Sequence, residues 1–185
     1  LLINQDLDKK ILEKIIKPTI KGLKDIGSEY KGFLYAGLMI IDNEPYLIEY
    51  NVRMGDPECQ TILPKLKTDL AEVLLASVNY GLSSIDLEWY DYKSLCVVLC
   101  SKGYPDKYDN NIRIKNLEDL TISKNEFIFH AGTKMLEKKI YSNGGRVLNF
   151  VVLSNNFKQS RNRALELIKT VNWSNGFFRN DIGFK

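Results

Sequence analysis

Apolar residues recur at two different spacings along this chain, and the alternation divides it into elements. From Asp6 to about Ile26 they fall at helical intervals, with Leu7, Ile11 and Ile15 followed by Leu12, Ile16, Ile20 and Leu23. Asp6 suits the N-cap and Gly27 the C-terminal end, while Pro18 removes a backbone donor and should kink or split the helix. "GFLYAGLMIIDNEPYLIEYNVR" then reads as a β-hairpin, two apolar runs around Asp42-Asn43-Glu44-Pro45. After a Gly-Asp-Pro turn, "PECQTILPKLK" and "TDLAEVLLASVNYGL" are helical, the second capped by Thr68 or Asp69.

From about Lys93 the pattern changes. "SLCVVLC" is a strand ending in a Ser-Lys-Gly-Tyr-Pro loop, and "EFIFHAGTKM" is another. "KKIYSNGGRVLNFVVLS" gives two more around Asn143-Gly144-Gly145. Asn156 caps a closing helix whose stripe is Phe157, Arg161, Ala164, Leu165, Ile168 and Val171, and the aromatic tail "WSNGFFRNDIGFK" is irregular. These elements describe an α/β (α+β) protein of two units, residues 1–88 and 89–185, with antiparallel sheets.

Composition narrows the function classes. With 185 residues, 44% hydrophobic and 26% charged, the default is a soluble globular protein. A net charge of +3, without a basic stripe, gives no reason to expect nucleic acid. The longest apolar runs are strand-sized, so no membrane span is expected, and the N-terminus does not read as a signal peptide. Cys59, Cys96 and Cys100 lack zinc spacing and fit reduced thiols of a cytoplasmic protein. The chain starts without methionine and enters a helix almost at once, as a piece of a longer protein would.

Candidate chemistry concentrates in "YLIEYNVRMGDPE". Strand side chains alternate, so Glu49, Asn51 and Arg53 share one face and Ile48, Tyr50 and Val52 the other. A carboxylate beside an amide oxygen suits magnesium, which takes few protein ligands and completes its shell with water and phosphate oxygens. Arg53 can clamp an anion, Gly55 lets the backbone pass close to a ligand, and Asp56 adds an oxygen at the strand's carboxyl end. The plainer alternative is a solvated polar face with Asp56 capping the next helix. Elsewhere, Gly144-Gly145-Arg146 has the makings of an anion site or of a simple Gly-rich turn. Arg179 and Asp181 in "RNDIG" stand on similar ground. His130, the single histidine, fits a structural hydrogen-bonder better than a catalyst.

The stretch "GFLYAGLMI…YLIEYNVRMGDPECQTILPKLKTDLAEVL", followed in order by "SKGYP", "FHAGTK", "SNGGRVL" and "RNDIG", closely resembles the phosphoribosylamine–glycine ligase (glycinamide ribonucleotide synthetase) family of ATP-grasp enzymes. The resemblance covers essentially the whole chain. It implies the second half of an ATP-grasp domain over 1–88 and the ligase's C-terminal domain over 89–185. It also implies an ATP-dependent ligation of glycine to 5-phosphoribosylamine in purine biosynthesis, through a glycyl phosphate, releasing ADP and phosphate. Glu49 and Asn51 then match magnesium (or manganese) ligands, and Arg53 stabilises charge on the transferring phosphoryl group or the acyl phosphate. Asp56 holds the glycine ammonium or a ribose hydroxyl. Arg146 lies beside the phosphoribosyl group, and Gly55, Arg179 and Asp181 fall in substrate-binding segments. One departure from many ATP-grasp enzymes is that the strand before Glu49, "LYAGLMI", carries no acidic ligand. The nucleotide-clamping lobe and an N-terminal α/β domain should precede this sequence, so the chain alone should be inactive. A non-enzymatic module that holds a phosphorylated small molecule or docks on a partner is the alternative.

Overall fold

The computed structural model describes residues 4–183. They form two compact units, one of residues 4–55 and 68–87, the other of 56–67 and 88–183.

In the first unit, helix α1 (Gln5–Ile11) runs through a π-helical turn (Leu12–Ile16) into α2 (Lys17–Asp25). The cap is Asn4, not Asp6: its Oδ1 accepts from the Leu7 amide at 2.8 Å. Helical structure continues past Pro18, which stands in the first turn of α2, where a backbone donor is least missed, directly after the π-helical turn. Gly27, at φ +77°, closes the helix in a Schellman arrangement, with Ser28 donating to Leu23 O and Gly27 to Lys24 O.

Strands β1 (Tyr35–Ile41) and β2 (Glu44–Asn51) form the expected hairpin, joined by Asp42 and Asn43, both at positive φ as a two-residue type I′ turn requires. Glu44 fixes the helix to this hairpin by accepting from Lys10 (2.7 Å) and Lys14 (2.5 Å), whose hydrogen bonds bring its pKa down to about 2. Thr19 and Tyr50 share a hydroxyl–hydroxyl bond on the same side. Helix α4 (Leu70–Val78) completes the unit, capped by Asp69 through the amides of Ala71 and Glu72.

The hairpin departs from the expected alternation. The register slips between Gly37 and Leu38, so Ile48 is a bulged residue without a partner. Of the residues whose apolar character suits a sheet interior, Tyr46, Leu47 and Ile48 are exposed and Tyr50 is half-buried.

In the second unit, α3 (Glu58–Ile62) precedes a four-stranded antiparallel sheet ordered β5 (Glu126–His130), β8 (Arg146–Ser154), β3 (Lys93–Ser101) and β9 (Gly176–Phe177). A smaller sheet is ordered β4 (Arg113–Ile114), β7 (Lys139–Ser142) and β6 (Thr133–Leu136). The register puts Leu95, Val97 and Leu99 opposite Val152, Phe150 and Leu148, and these six meet Ala164, Leu167, Ile168 and Val171 of α5 (Phe157–Val171) in one core. Asn156 caps α5 as expected, accepting from the Gln159 amide. On the other face Ser94 donates to Thr61 O of α3 at 2.7 Å.

Three sequence expectations change here. "EFIFHAGTKM" is two strands, β5 and β6, because the chain turns at Ala131-Gly132. The tail contributes β9, which pairs with the end of β3. Two-residue β4 carries too little pattern to be seen in sequence. None of the helices in the described residues is long and apolar enough to cross a membrane.

One ion pair ties the edge strand to α5. Arg163 grips Glu126 with Nε at 2.9 Å and Nη2 at 3.1 Å, and the Ser123 amide donates to the same carboxylate. Hydrogen bonding from Arg163 holds the Glu126 pKa below its ordinary 4.5, against the opposing effect of burial. Because the folded-state pKa is depressed, this stabilisation is complete above the usual glutamate range and is lost as pH falls through the folded value. Glu126→Gln should cost about 1–3 kcal/mol at neutral pH. In urea denaturation the gap from the parent should close as the pH is lowered, and a gap constant with pH would remove the ion pair as its cause.

Candidate functional site

The first unit carries the acidic end of β2. Glu49 and Asn51 do share a face, with Asn51 Nδ2 donating to Glu49 Oε1 at 3.1 Å. Room for the Glu49 side chain comes from its cross-strand partner Gly37. A Cβ at that position would stand 3.1 Å from Glu49 Cγ and 3.8 Å from Oε1. The preceding strand therefore offers space where a third acidic ligand would otherwise be sought. No group of three or more His, Cys, Asp or Glu that could hold a metal occurs among the described residues. Two hard oxygen donors on an exposed strand end nevertheless fit magnesium, which keeps water and phosphate oxygens in its shell.

Arg53 is not held with that pair. β2 stops at Asn51, the chain bends at Val52-Arg53, and the exposed guanidinium donates to Met54 O at 3.1 Å. Alternation stops fixing a side chain once the strand has ended. Gly55 is buried and is the last residue of this stretch of the first unit.

The second unit joins two residues that the sequence separates by 90 positions. Arg146 donates from Nη2 to Asp56 Oδ2 and from Nη1 to Asp56 O, both at 3.0 Å. The other Asp56 oxygen, Oδ1, accepts from Gln60 Nε2 at 3.0 Å. Asp56 thus does not cap α3, whose start has no side-chain cap. Each partner of the pair keeps about two-fifths of its side chain exposed. A guanidinium has five N–H donors, and Asp56 takes two, so Arg146 can still address an anion.

Loop packing positions Arg146. The turn at Ala131-Gly132 docks on the start of β8, with Gly132 N donating to Arg146 O (2.8 Å) and Ala131 N to Val147 O (3.0 Å). A Cβ on Gly132 would come within 2.7 Å of Arg146 O, so only glycine allows this approach. Ser101 holds the Gly-rich turn from the far side, its amide on Gly145 O and its hydroxyl on Gly144 O. Tyr104 covers Gly145, where a Cβ would meet its ring. "SKGYP", "HAGT" and "SNGGR" therefore converge on one residue. Ser101 and Tyr104 are supports that sequence reasoning missed, since neither carries a chemical signature by itself.

Arg179 and Asp181 pair with each other, at 3.0 Å through Nε and 2.5 Å through Nη2, and are exposed. Neither bonds to Asp56 or Arg146. His130 Nδ1 meets Thr133 Oγ1 at 2.9 Å. The cysteines are free, and burial pushes the Cys96 thiol up to about 12 and Cys100 upward as well, so these two are poor nucleophiles.

Comparison with known proteins follows the same two segments. Residues 2–59 match the model for the phosphoribosylglycinamide synthetase ATP-grasp (A) domain, and residues 94–185 the model for the phosphoribosylglycinamide synthetase C domain. The phosphoribosylamine–glycine ligase of Caldanaerobacter subterraneus is 43% identical over 183 residues, covering 97% of this chain and 43% of that protein. The chloroplastic phosphoribosylamine–glycine ligase of Arabidopsis thaliana is 40% identical over 188 residues, covering 100% of this chain and 35% of that protein. A crystal structure of phosphoribosylamine–glycine ligase from Thermotoga maritima superposes with a TM-score of 0.79 at 34% identity, covering 97% of this chain and 44% of that one. This chain thus spans less than half the length of these relatives. Matched in both segments, in their order and over nearly its whole length, the chain belongs to the phosphoribosylglycinamide synthetase family.

Proposed function

We propose that this chain is part of an ATP-dependent phosphoribosylamine–glycine ligase, joining glycine to 5-phosphoribosylamine with release of ADP and phosphate, a step of purine biosynthesis. Residues 1–88 would be the later part of its ATP-grasp domain and 89–185 its C-terminal domain. The observation that carries the reading is the Glu49–Asn51 oxygen pair at the exposed end of β2, over a glycine that leaves it room. Relatives bearing this enzyme's name match the chain across both segments.

Glu49 and Asn51 would hold magnesium or manganese, which when bound supplies positive charge to the phosphate oxygens of ATP. Glu49 acts as an ionised ligand and not as a general base. Arg53, free of the strand ladder, can swing toward charge developing on the transferring phosphoryl group or on glycyl phosphate. Asp56 would hold the glycine ammonium or a ribose hydroxyl, with Gly55 leaving the backbone close to the ligand. Arg146, preset by Asp56 and with donors to spare, would take the phosphate of phosphoribosylamine. Arg179 and Asp181 would serve the same substrate from the "RNDIG" segment. The nucleotide clamp belongs to a preceding part of the same enzyme, which would also cover the exposed Tyr46–Ile48 stretch. The three free thiols are in keeping with a cytoplasmic enzyme. A binding module without catalysis would have no use for the carboxylate–amide pair.

Three measurements follow. In the complete enzyme, Glu49→Ala should abolish turnover while leaving the melting temperature within about 2 °C, as expected for an exposed residue. Arg146→Gln should instead raise KM for phosphoribosylamine by about tenfold or more while KM for ATP stays unchanged. Near-normal turnover in the Glu49 variant would remove the metal assignment. Calorimetry on this chain alone should detect magnesium only weakly, above the millimolar range, because two protein oxygens leave most of the shell to ATP and water. Millimolar or tighter binding without nucleotide would contradict the site as drawn.

A further inference from the structure

We infer that Gln60 is a positioning residue for Arg146. It holds the Asp56 carboxylate in a direction that leaves part of the guanidinium open for an incoming phosphate, a role that rests on reading Arg146 as the phosphate-binding residue. Arginine–carboxylate pairs in the second unit take two forms. Arg163 reaches both oxygens of Glu126, through Nε at 2.9 Å and Nη2 at 3.1 Å. Arg179 likewise reaches both oxygens of Asp181, through Nε at 3.0 Å and Nη2 at 2.5 Å. Arg146 touches only one carboxylate oxygen of Asp56, Oδ2, and sends Nη1 to the Asp56 main-chain oxygen instead. Its Nε has no partner among the described residues.

Exposure does not account for the difference. Arg179 and Asp181 keep 69% and 63% of their side chains exposed and still close into a fork, whereas Arg146 and Asp56 keep 40% and 42%. Occupancy alone does not account for it either, because Glu126 Oε2 takes the Ser123 amide and Arg163 together. What distinguishes Asp56 is a side-chain donor on its other oxygen. Gln60 Nε2, in α3, donates to Oδ1 at 3.0 Å and draws that oxygen toward the helix. A guanidinium makes its strongest contact as a two-point fork, to carboxylate and phosphate alike. By directing Oδ1 elsewhere, Gln60 keeps the Nε side of Arg146 from closing on Asp56.

The far end of the same side chain adds an independent sign. A carboxylate only accepts, so the Gln60 NH2 must face Asp56 and its Oε1 must face away. Oε1 is shielded from solvent there and has no hydrogen-bond partner among the described residues. A buried acceptor left unpaired is unfavourable, and an apolar side chain of similar size, such as methionine, would avoid it. Gln60 is therefore a poor choice for packing alone and an apt one for holding a carboxylate.

The test is a double-mutant cycle in the complete enzyme, read as KM for phosphoribosylamine, KM for ATP, kcat and melting temperature. Gln60→Met should raise KM for phosphoribosylamine about fivefold or more while kcat and KM for ATP stay unaltered. It should melt no lower than the parent, because the unpaired acceptor goes with the amide. Added to Arg146→Gln, it should raise KM no further, since no guanidinium remains to be kept open. If methionine does not fit and the melting temperature falls, Gln60→Ala carries the same expectations for KM. An unchanged KM in the Gln60 variant, with Arg146→Gln still raising it, would overturn the role of Gln60 and leave that of Arg146 standing. Equal rises in both backgrounds would overturn it too, by showing that Gln60 acts without Arg146. If neither single variant moves KM for phosphoribosylamine, the phosphate-binding reading of Arg146 fails, and the role of Gln60 with it.

Discussion

Strand β8 is the constraint on which the second unit depends. It is paired along both edges, with β3 and β5, and its residues from Val147 to Leu153 are all buried. A strand enclosed in this way cannot shift register without exposing Leu148, Phe150 and Val152, which α5 covers. Arg146 is its first residue. The guanidinium therefore inherits the rigidity of the best-packed strand, while the Gly-rich turn before it is clamped by Ser101 and the Ala131-Gly132 bend. Rigid support of this kind lets one exposed arginine hold a fixed direction, which a loop arginine would not.

The metal-binding reading rests on a different physical device. β2 is not enclosed, and its polar end is defined by what is missing: Gly37 leaves the space beside Glu49 empty, and the strand stops at Asn51. The open apolar residues of the same hairpin, Tyr46 to Ile48, suit a unit that is one portion of a larger domain. Relatives more than twice as long as this chain are consistent with that.

Much of this was legible in sequence because it is local. The hairpin, the cap at Asn156, the choice of Thr68 or Asp69 before α4, and the stripe of α5 all follow from spacing within a few residues. The Glu49–Asn51 pairing follows from period-two alternation, which survives the bulge at Ile48 because both residues lie beyond it. What escaped was non-local or irregular. Nothing in sequence links Asp56 to Arg146 across 90 positions. The bend at Ala131-Gly132 exists only because β8 lies behind it, so "EFIFHAGTKM" reads as one strand. Arg53 illustrates the limit of periodicity: two residues past the end of a strand, alternation no longer says where a side chain points. The π turn that precedes Pro18 has no sequence marker of its own.

Glu49 and Asn51 are the proposed ligands of the catalytic metal. Anomalous scattering from manganese in crystals of the complete enzyme, grown with ATP, tests this assignment most directly. A peak is expected within inner-sphere distance, about 2.0–2.3 Å, of side-chain oxygens of both residues. A manganese peak on the nucleotide phosphates with neither Glu49 nor Asn51 among its ligands would contradict it.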